Sequence, residues 1–291
     1  MQSDRKSFLK YLGSLLIFGS NGVMVSHISL SSYEIVFLRT LIGTAFIILL
    51  YLGTGGKFHI REHKRDAIFI AISGMLQGAS WVFLYEGYRN IGVGISSLIY
   101  YCGPILLVVS APVLFSEKLS GAKAICFGVV LLGLVMINGR VLKSGGGSLW
   151  GFAASVLSAV TFFLMLVFNK KSRHIHGMEN AVIQVSFAFV AMAIFIGATQ
   201  QFVIHTQSGD WPWIIIQGVI NTAIGCYLYY SALPKLSVHT IAVCGYVEPL
   251  AAVVFAAVFL SETMSPIQLI GAVCIIGGAV MAELIGNPKS E

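Results

Sequence analysis

The residues around Pro104 recur around Pro249. Subtracting Pro104 from Pro249, Ser116 from Ser261 and Glu117 from Glu262 gives 145 each time. Held through positions 89–137, that offset makes 14 of 49 pairs identical without a gap. Tyr101/Tyr246, Val108/Val253, Ala111/Ala256, Val113/Val258 and Gly133/Gly278 are among them, and farther out come Glu34/Glu179, Ile70/Ile215 and Tyr85/Tyr230. The chain is one segment written twice. A unit this long excludes solenoids, whose repeats run roughly 20–50 residues, and points to the duplicated folds of membrane proteins.

Composition supports that class. Only 10% of the 291 residues are charged, where about a quarter is usual for a soluble domain, and 57% are apolar. Such a chain cannot cover its own surface with water-soluble groups, so it belongs in lipid, where about 20 apolar residues span the hydrocarbon layer. The length is used up by spans and short loops, which leaves no room for a separate soluble domain. The net charge of +6 comes from basic residues spread over loops, a topology signal rather than a nucleic-acid surface. Cys102, Cys126, Cys226, Cys244 and Cys274 all lie in apolar runs without a CxxC, which speaks against a disulfide scaffold or a metal site. Arg5, Lys6 and Lys10 before an apolar run resemble the opening of a signal peptide, but no clean cleavage site follows, so an uncleaved first span is expected.

Ten spans can be drawn: 8–29, 33–53, 66–88, 92–115, 121–139, 149–169, 177–200, 212–232, 237–260 and 265–285. Backbone polar groups in hydrocarbon must be bonded within the segment, so an all-α polytopic membrane protein is predicted. Trp211 and Trp213 suit interfacial anchors. With the N-terminus inside, the inner segments hold 14 Lys and Arg and the outer segments 3. That bias places both termini in the cytoplasm. Five spans per copy is an odd number, so the second copy enters from the opposite side. Residues 1–140 and 149–291 are then two inverted five-helix repeats joined by a Gly/Ser linker at 141–148. That is the design of secondary transporters, with the substrate near the midplane where the repeats meet.

Phe18-Gly-Ser-Asn21 in span 1, Glu34 to Arg39 in span 2, and Val247-Glu-Pro-Leu250 followed by Phe259-Leu-Ser-Glu262 carry a family likeness. In these segments the chain resembles a ten-span member of the drug/metabolite transporter superfamily, in its EamA-like branch. It departs at Phe18, where Trp is common, and at Gly103-Pro104, where the second copy has Glu248-Pro249. The resemblance implies export or exchange of small metabolites, often amino acids, across a bacterial inner membrane.

Glu248 falls roughly 16 Å into span 9, close to the midplane. An ionisable group there needs a partner or water, so it is a candidate for substrate or proton binding, with a structural ion pair as the plain alternative. Its counterpart is Gly103. Arg39 lies roughly 12 Å into span 2 and is expected to pair with Glu248, hold an anionic substrate or tie helices together. Its counterpart Gln184 is also polar, which favours the structural role. Gln77, Trp81, Tyr85 and Tyr88 form one stripe on span 3, answered on span 8 by Asn221, Thr222, Cys226, Tyr229 and Tyr230. An inward-facing stripe suits amino-acid-like or aromatic solutes; an interfacial belt fits Tyr88 and Tyr229 as well. Asn21 sits mid-helix between glycines. Tyr100, Tyr101 and Tyr246 flank Pro104 and Pro249, which are expected to bend spans 4 and 9 and serve gating. Phe162 and Phe163 of span 6 are candidate aromatic neighbours, with ordinary packing as an equal alternative. Substrate binding is thus expected at Asn21, Gln77, Trp81, Tyr85, Tyr100, Tyr101, Asn221, Tyr230, Tyr246 and Glu248, with Arg39, Pro104 and Pro249 structural or gating.

The glycines of spans 5 and 10 (Gly121, Gly128, Gly133, Gly271, Gly277, Gly278) are expected to let helices approach, and a dimer contact is open to them. His59/His63 and His174/His176 have metal-compatible spacing but lie in basic inner loops without acidic or cysteine partners, so solvated loop histidines are expected. Nothing supports Ser/His/Asp catalysis. The expectation is a transporter, not an enzyme. It needs no cofactor and no nucleic acid; its partners are a small-molecule substrate, the lipid bilayer and, as an option, protons, and the chain is a monomer or homodimer. The rivals are a multidrug exporter of lipophilic cations, favoured if Glu248 is unpaired with Arg39, and an intramembrane lipid-handling enzyme.

Overall fold

The computed structural model describes residues 2–115, 121–138, 147–232 and 244–284, together with Leu236. Among them every regular element is helical. In chain order these are α1 (Gln2–Gly19), α2 (Asn21–Val25), α3 (Ser32–Gly53), α4 (Lys64–Ile91), α5 (Val93–Tyr100), α6 (Cys102–Phe115), α7 (Gly121–Asn138), α8 (Gly147–Lys171), α9 (Gly177–Gln200) and α10 (Asp210–Ile216). A π-helical segment (Gln217–Ile224), α11 (Gly225–Ala232), α12 (Val247–Phe259) and α13 (Pro266–Leu284) complete them. The Ser116–Glu117 pair, most of the predicted linker and the start of predicted span 9 lie outside the described residues.

Among the described residues six stretches are long and apolar enough to cross a membrane: Arg5–Val25, Ser32–Gly53, Lys64–Ile91, Leu149–Lys171, Gly177–Gln200 and Asp210–Tyr229. Two predicted spans are broken within the described residues. Predicted span 4 is interrupted at Tyr101 (φ −71°, ψ −1°), and predicted span 9 at Tyr246 (φ −74°, ψ −4°). These two tyrosines are repeat counterparts in the same conformation. Pro104 and Pro249 each sit third in the helix that follows the break, where a missing N–H cannot bond the carbonyl four residues back, at Tyr100 and Gly245, so each break falls one turn before its proline.

Counterpart helices pack antiparallel. Along α3 and α9, Tyr33 meets Phe195 and Phe37 meets Phe189, with ring centroids 5.6 and 5.7 Å apart. Farther along, Thr44 donates to the Val185 carbonyl (3.4 Å), and Ile47 and Tyr51 cluster with Ala181 and Val182. Between α7 and α13, a Cβ on Gly133 would stand 2.5 Å from the Gly271 carbonyl oxygen, and one on Gly278 would stand 2.9 Å from that of Cys126. The 145-residue offset carries Gly133 to Gly278 and Cys126 to Gly271, so this is one contact made twice. Gly121, Gly128 and Gly277 do not share the packing role expected of them: a Cβ there would meet nothing within 4 Å.

Carboxylates tie the helix ends. Asp210 opens α10 and accepts from the Ser29 N–H (2.9 Å), the Ser29 hydroxyl (2.7 Å) and the Gln207 N–H (3.0 Å). Asp66, in the first turn of α4, accepts from the N–H groups of Arg173 (2.9 Å) and His174 (2.7 Å) and faces His174 Nδ1 at 3.0 Å. Glu179, in the first turn of α9, accepts from the His59 N–H (2.6 Å) and faces His59 Nδ1 at 3.0 Å. A negative charge in a first turn also suits the helix dipole. His59 and His174 are therefore not the partnerless loop histidines expected. Their acids come from helices distant in sequence, which local spacing does not reveal. The hydrogen bond to Glu179, reinforced by its charge, raises the His59 pKa above the ordinary 6.5.

Candidate binding cavity

Where the two halves meet, the helices line a cavity of about 490 Å³. Among the expected residues, Asn21, Arg39, Gln77, Trp81, Tyr100, Tyr101, Pro104, Asn221, Tyr246 and Glu248 line it. Tyr85 does not. It is fully buried behind the wall, where its hydroxyl accepts from Arg39 and donates to Asn21 Oδ1 (3.1 Å). Pro249 is buried within α12, and the Tyr230 side chain lies outside the described residues.

Arg39 is 3% exposed. Its Nε donates to Thr222 Oγ1 (3.1 Å) and its Nη1 to Asn21 Oδ1 (3.0 Å) and the Tyr85 hydroxyl. The guanidinium lies 4.3 Å from the Trp81 ring centroid, a cation–π distance. All four partners are neutral. Pairing with Glu248, one of the roles open to Arg39 in the sequence, is not the arrangement found.

Close approach sets this geometry. Gly43 faces Thr222 and Gly218 faces Ile42, and neither glycine has room for a Cβ. α3 therefore lies tight against the π-helical segment, within which the Thr222 hydroxyl donates to the Gln217 carbonyl (2.9 Å). The other half repeats the bridge in neutral form. Gln184, counterpart of Arg39, donates from Nε2 to Oε1 of Gln77 (3.4 Å), the counterpart of Thr222. Gln184 also accepts from Asn169 (2.6 Å).

Glu248 occupies the first turn of α12, where the Tyr101 hydroxyl engages its carboxyl. Tyr11, Tyr88, Tyr100 and Tyr229 lie within its electrostatic reach. Tyr229 packs on Tyr11 and Phe18 (centroids 5.4 and 5.9 Å), and Tyr100 stacks on Phe162 at 4.4 Å. The belt reading of Tyr88 and Tyr229 does not hold: both face the cavity, because their rings turn toward neighbouring helices. Tyr11, Phe18, Asn169 and Gln184 also line the wall, though sequence reasoning did not place them there. Tyr11 and Phe18 lie seven residues apart, which puts them on one face of α1, a periodicity that could have shown them.

The cavity extends toward the Lys/Arg-rich helix ends, reaching Tyr11, Leu107, Asn169 and Gly245, and its other end is at Tyr88. Tyr88 also lines a second cavity of about 300 Å³, with Ser29, Arg89, Val93 and Glu262 around it. The Ser97 hydroxyl donates to Tyr88 (3.2 Å), and Tyr88 stacks on Tyr85 at 5.7 Å. Glu262 accepts from the N–H groups of Val93 (2.7 Å) and Gly94 (3.0 Å), closing the start of α5 against the second half. Glu86 takes bonds from Ser32 and Trp150, off the cavity. Among the described residues no group of three His, Cys, Asp or Glu could hold a metal ion.

A model of the EamA-like transporter family matches residues 6–139 and, a second time, residues 145–284. The uncharacterized transporter YxxF of Bacillus subtilis is 26% identical, over 100% of this chain and 94% of that protein. The threonine/homoserine exporter RhtA of Escherichia coli K12 is 25% identical, over 87% of this chain and 82% of that protein. One crystal structure superposes with a TM-score of 0.67 at 17% identity, over 96% of this chain and 99% of that one, and so shares the fold.

Proposed function

Because the chain belongs to the EamA-like transporter family, within the drug/metabolite transporter superfamily, we propose that it carries a small organic metabolite across the bacterial inner membrane by alternating access. The family and the relatives above are transporters rather than enzymes, and the chain is a multi-pass membrane protein. The two units are residues 1–140 and 149–291, joined at 141–148 and inverted with respect to each other. The contact made twice between α7 and α13 supports the inversion, since counterparts related by an axis in the membrane plane run antiparallel. The termini then lie on the Lys/Arg-rich, cytoplasmic side.

The observation that carries the reading is the cavity itself. It lies on the seam, takes its wall from both halves, and combines Arg39, Glu248 and several amides with tyrosines and Trp81. That mixture fits an amino acid or related compound, exported or exchanged, and the exporter RhtA among the relatives points the same way. Proteoliposomes should show counterflow of at least one member of an amino-acid panel. A panel that gives no flux above protein-free vesicles, with or without a pH gradient, would remove this solute class.

A multidrug exporter of lipophilic cations is the second reading. It is favoured by Glu248, which lacks an Arg39 partner and has Tyr11, Tyr101 and Tyr229 around it. Flux of tetraphenylphosphonium without flux of any amino acid would select it.

A further inference from the structure

Two opposite charges line one cavity and do not pair with each other. Arg39, from the first half, is bonded only to neutral groups among the described residues; Glu248, from the second, has no cationic partner there. Their repeat counterparts, Gln184 and Gly103, are neutral, and among the described residues each half brings one charged side chain to the cavity wall. An uncompensated charge inside a membrane protein is unfavourable, and a ligand of opposite sign relieves it. A simple cation would relieve Glu248 and leave Arg39, and a simple anion would do the reverse. A solute carrying both signs relieves both at once.

Resting on the carrier reading above, we infer that the transported solute is a zwitterion held across the seam, its carboxylate on Arg39 and its ammonium on Glu248. Each end is built for this. The hydrogen bonds of Arg39 engage Nε and Nη1, leaving Nη2 for a carboxylate oxygen, while Trp81 holds the guanidinium plane. At the other end the Tyr101 hydroxyl engages the carboxyl, and Tyr11 and Tyr229 line the same cavity within its electrostatic reach, so an ammonium there meets a carboxylate in an aromatic-lined wall. Because the two anchors come from different halves, the bound solute spans the surfaces that must separate in the cycle.

The test uses proteoliposomes and the protein amino acid that gives the largest counterflow, with its methyl ester and N-acetyl derivative as competitors, each lacking one charge. Wild-type protein should discriminate against both by at least about tenfold, the worth of a charged hydrogen bond. In Arg39→Gln the acid and ester should compete equally, with discrimination against the N-acetyl form intact; in Glu248→Gln the pattern should reverse. An ester or N-acetyl form that competes as well as the parent in wild type overturns the inference, as does discrimination that neither substitution changes. If Arg39→Gln does not yield monodisperse protein, Arg39→Lys, which keeps the charge and loses the fork, should weaken discrimination against the ester alone. Vesicles that move tetraphenylphosphonium or an uncharged solute but no zwitterion sink the inference and leave the carrier standing. Vesicles that move nothing count against the carrier reading itself.

Discussion

Ser29 and His174 occupy the same position in the two repeats, and each gives its backbone N–H and its side chain to an aspartate of the opposite half. Ser29 clamps onto Asp210 and His174 onto Asp66. One molecule thus carries the same fastening at both ends of the bundle, with a hydroxyl at one end and an imidazole at the other. On the Lys/Arg-rich side the helix ends are joined through histidines, since His59 meets Glu179 there as well.

The His59–Glu179 contact makes this end respond to pH. His59 binds its proton more tightly in the folded protein, its pKa being raised by Glu179 above 6.5. The stabilisation is fully present below the unfolded value and is lost as pH rises through the folded one. Thermal unfolding of purified protein should therefore move to lower temperature as pH rises above 6.5, modestly because the imidazole is exposed. In His59→Ala this part of the slope should vanish, and an unchanged slope would show that the contact has no such effect.

Serine is enough for the clamp, as Ser29 demonstrates. His174→Ser should lower stability by less than about 1 kcal/mol, and by less than Ser29→Ala, which loses the hydroxyl bond to the Asp210 carboxylate. Asp210→Ala should lower it by about 2–3 kcal/mol, because the N–H groups of Ser29 and Gln207 lose their acceptor together. Thermal melts of the three variants in one detergent make the comparison.

Glycines of the same two helices should differ sharply. Gly133→Leu or Gly278→Leu forces a side chain into a facing carbonyl and should destabilise by about 1–3 kcal/mol. Gly128→Leu and Gly277→Leu meet open space and should leave melting temperature unchanged or slightly higher. Equal effects at all four sites would rule out the close α7–α13 approach.

Tyr88 alone among the described residues lines both cavities. Tyr88→Ala should join them and raise passive solute leak from loaded proteoliposomes. Tyr88→Phe keeps the ring and loses only the bond to Ser97, so its leak should stay near wild type. A tight Tyr88→Ala would place the barrier elsewhere.

The duplication was legible in the sequence because it is written in identities such as Pro104/Pro249 and Glu117/Glu262. The buried amphipathic face was legible too, since Asn21, Gln77 and Trp81 are groups that a lipid-facing position would not hold. The helix breaks at Tyr101 and Tyr246 were legible through Pro104 and Pro249 in kind but not in position, because a proline disturbs the turn that precedes it rather than its own place in the chain. The π-helical segment left no local trace; it packs tightly against α3 at Gly43 and Gly218. The clamps were hidden for a different reason. Asp66 and His174 are 108 residues apart, so neither looks like a partner until the helices are packed.

The glycine-to-carbonyl contact between α7 and α13 is self-complementary: each helix offers the small residue that the other helix's backbone requires. A surface that fits its own copy is what a homodimer needs, so the molecule holds a dimer interface inside a single polypeptide. The tether between the halves then raises local concentration rather than supplying recognition. Two halves made as separate polypeptides still carry the means to find each other.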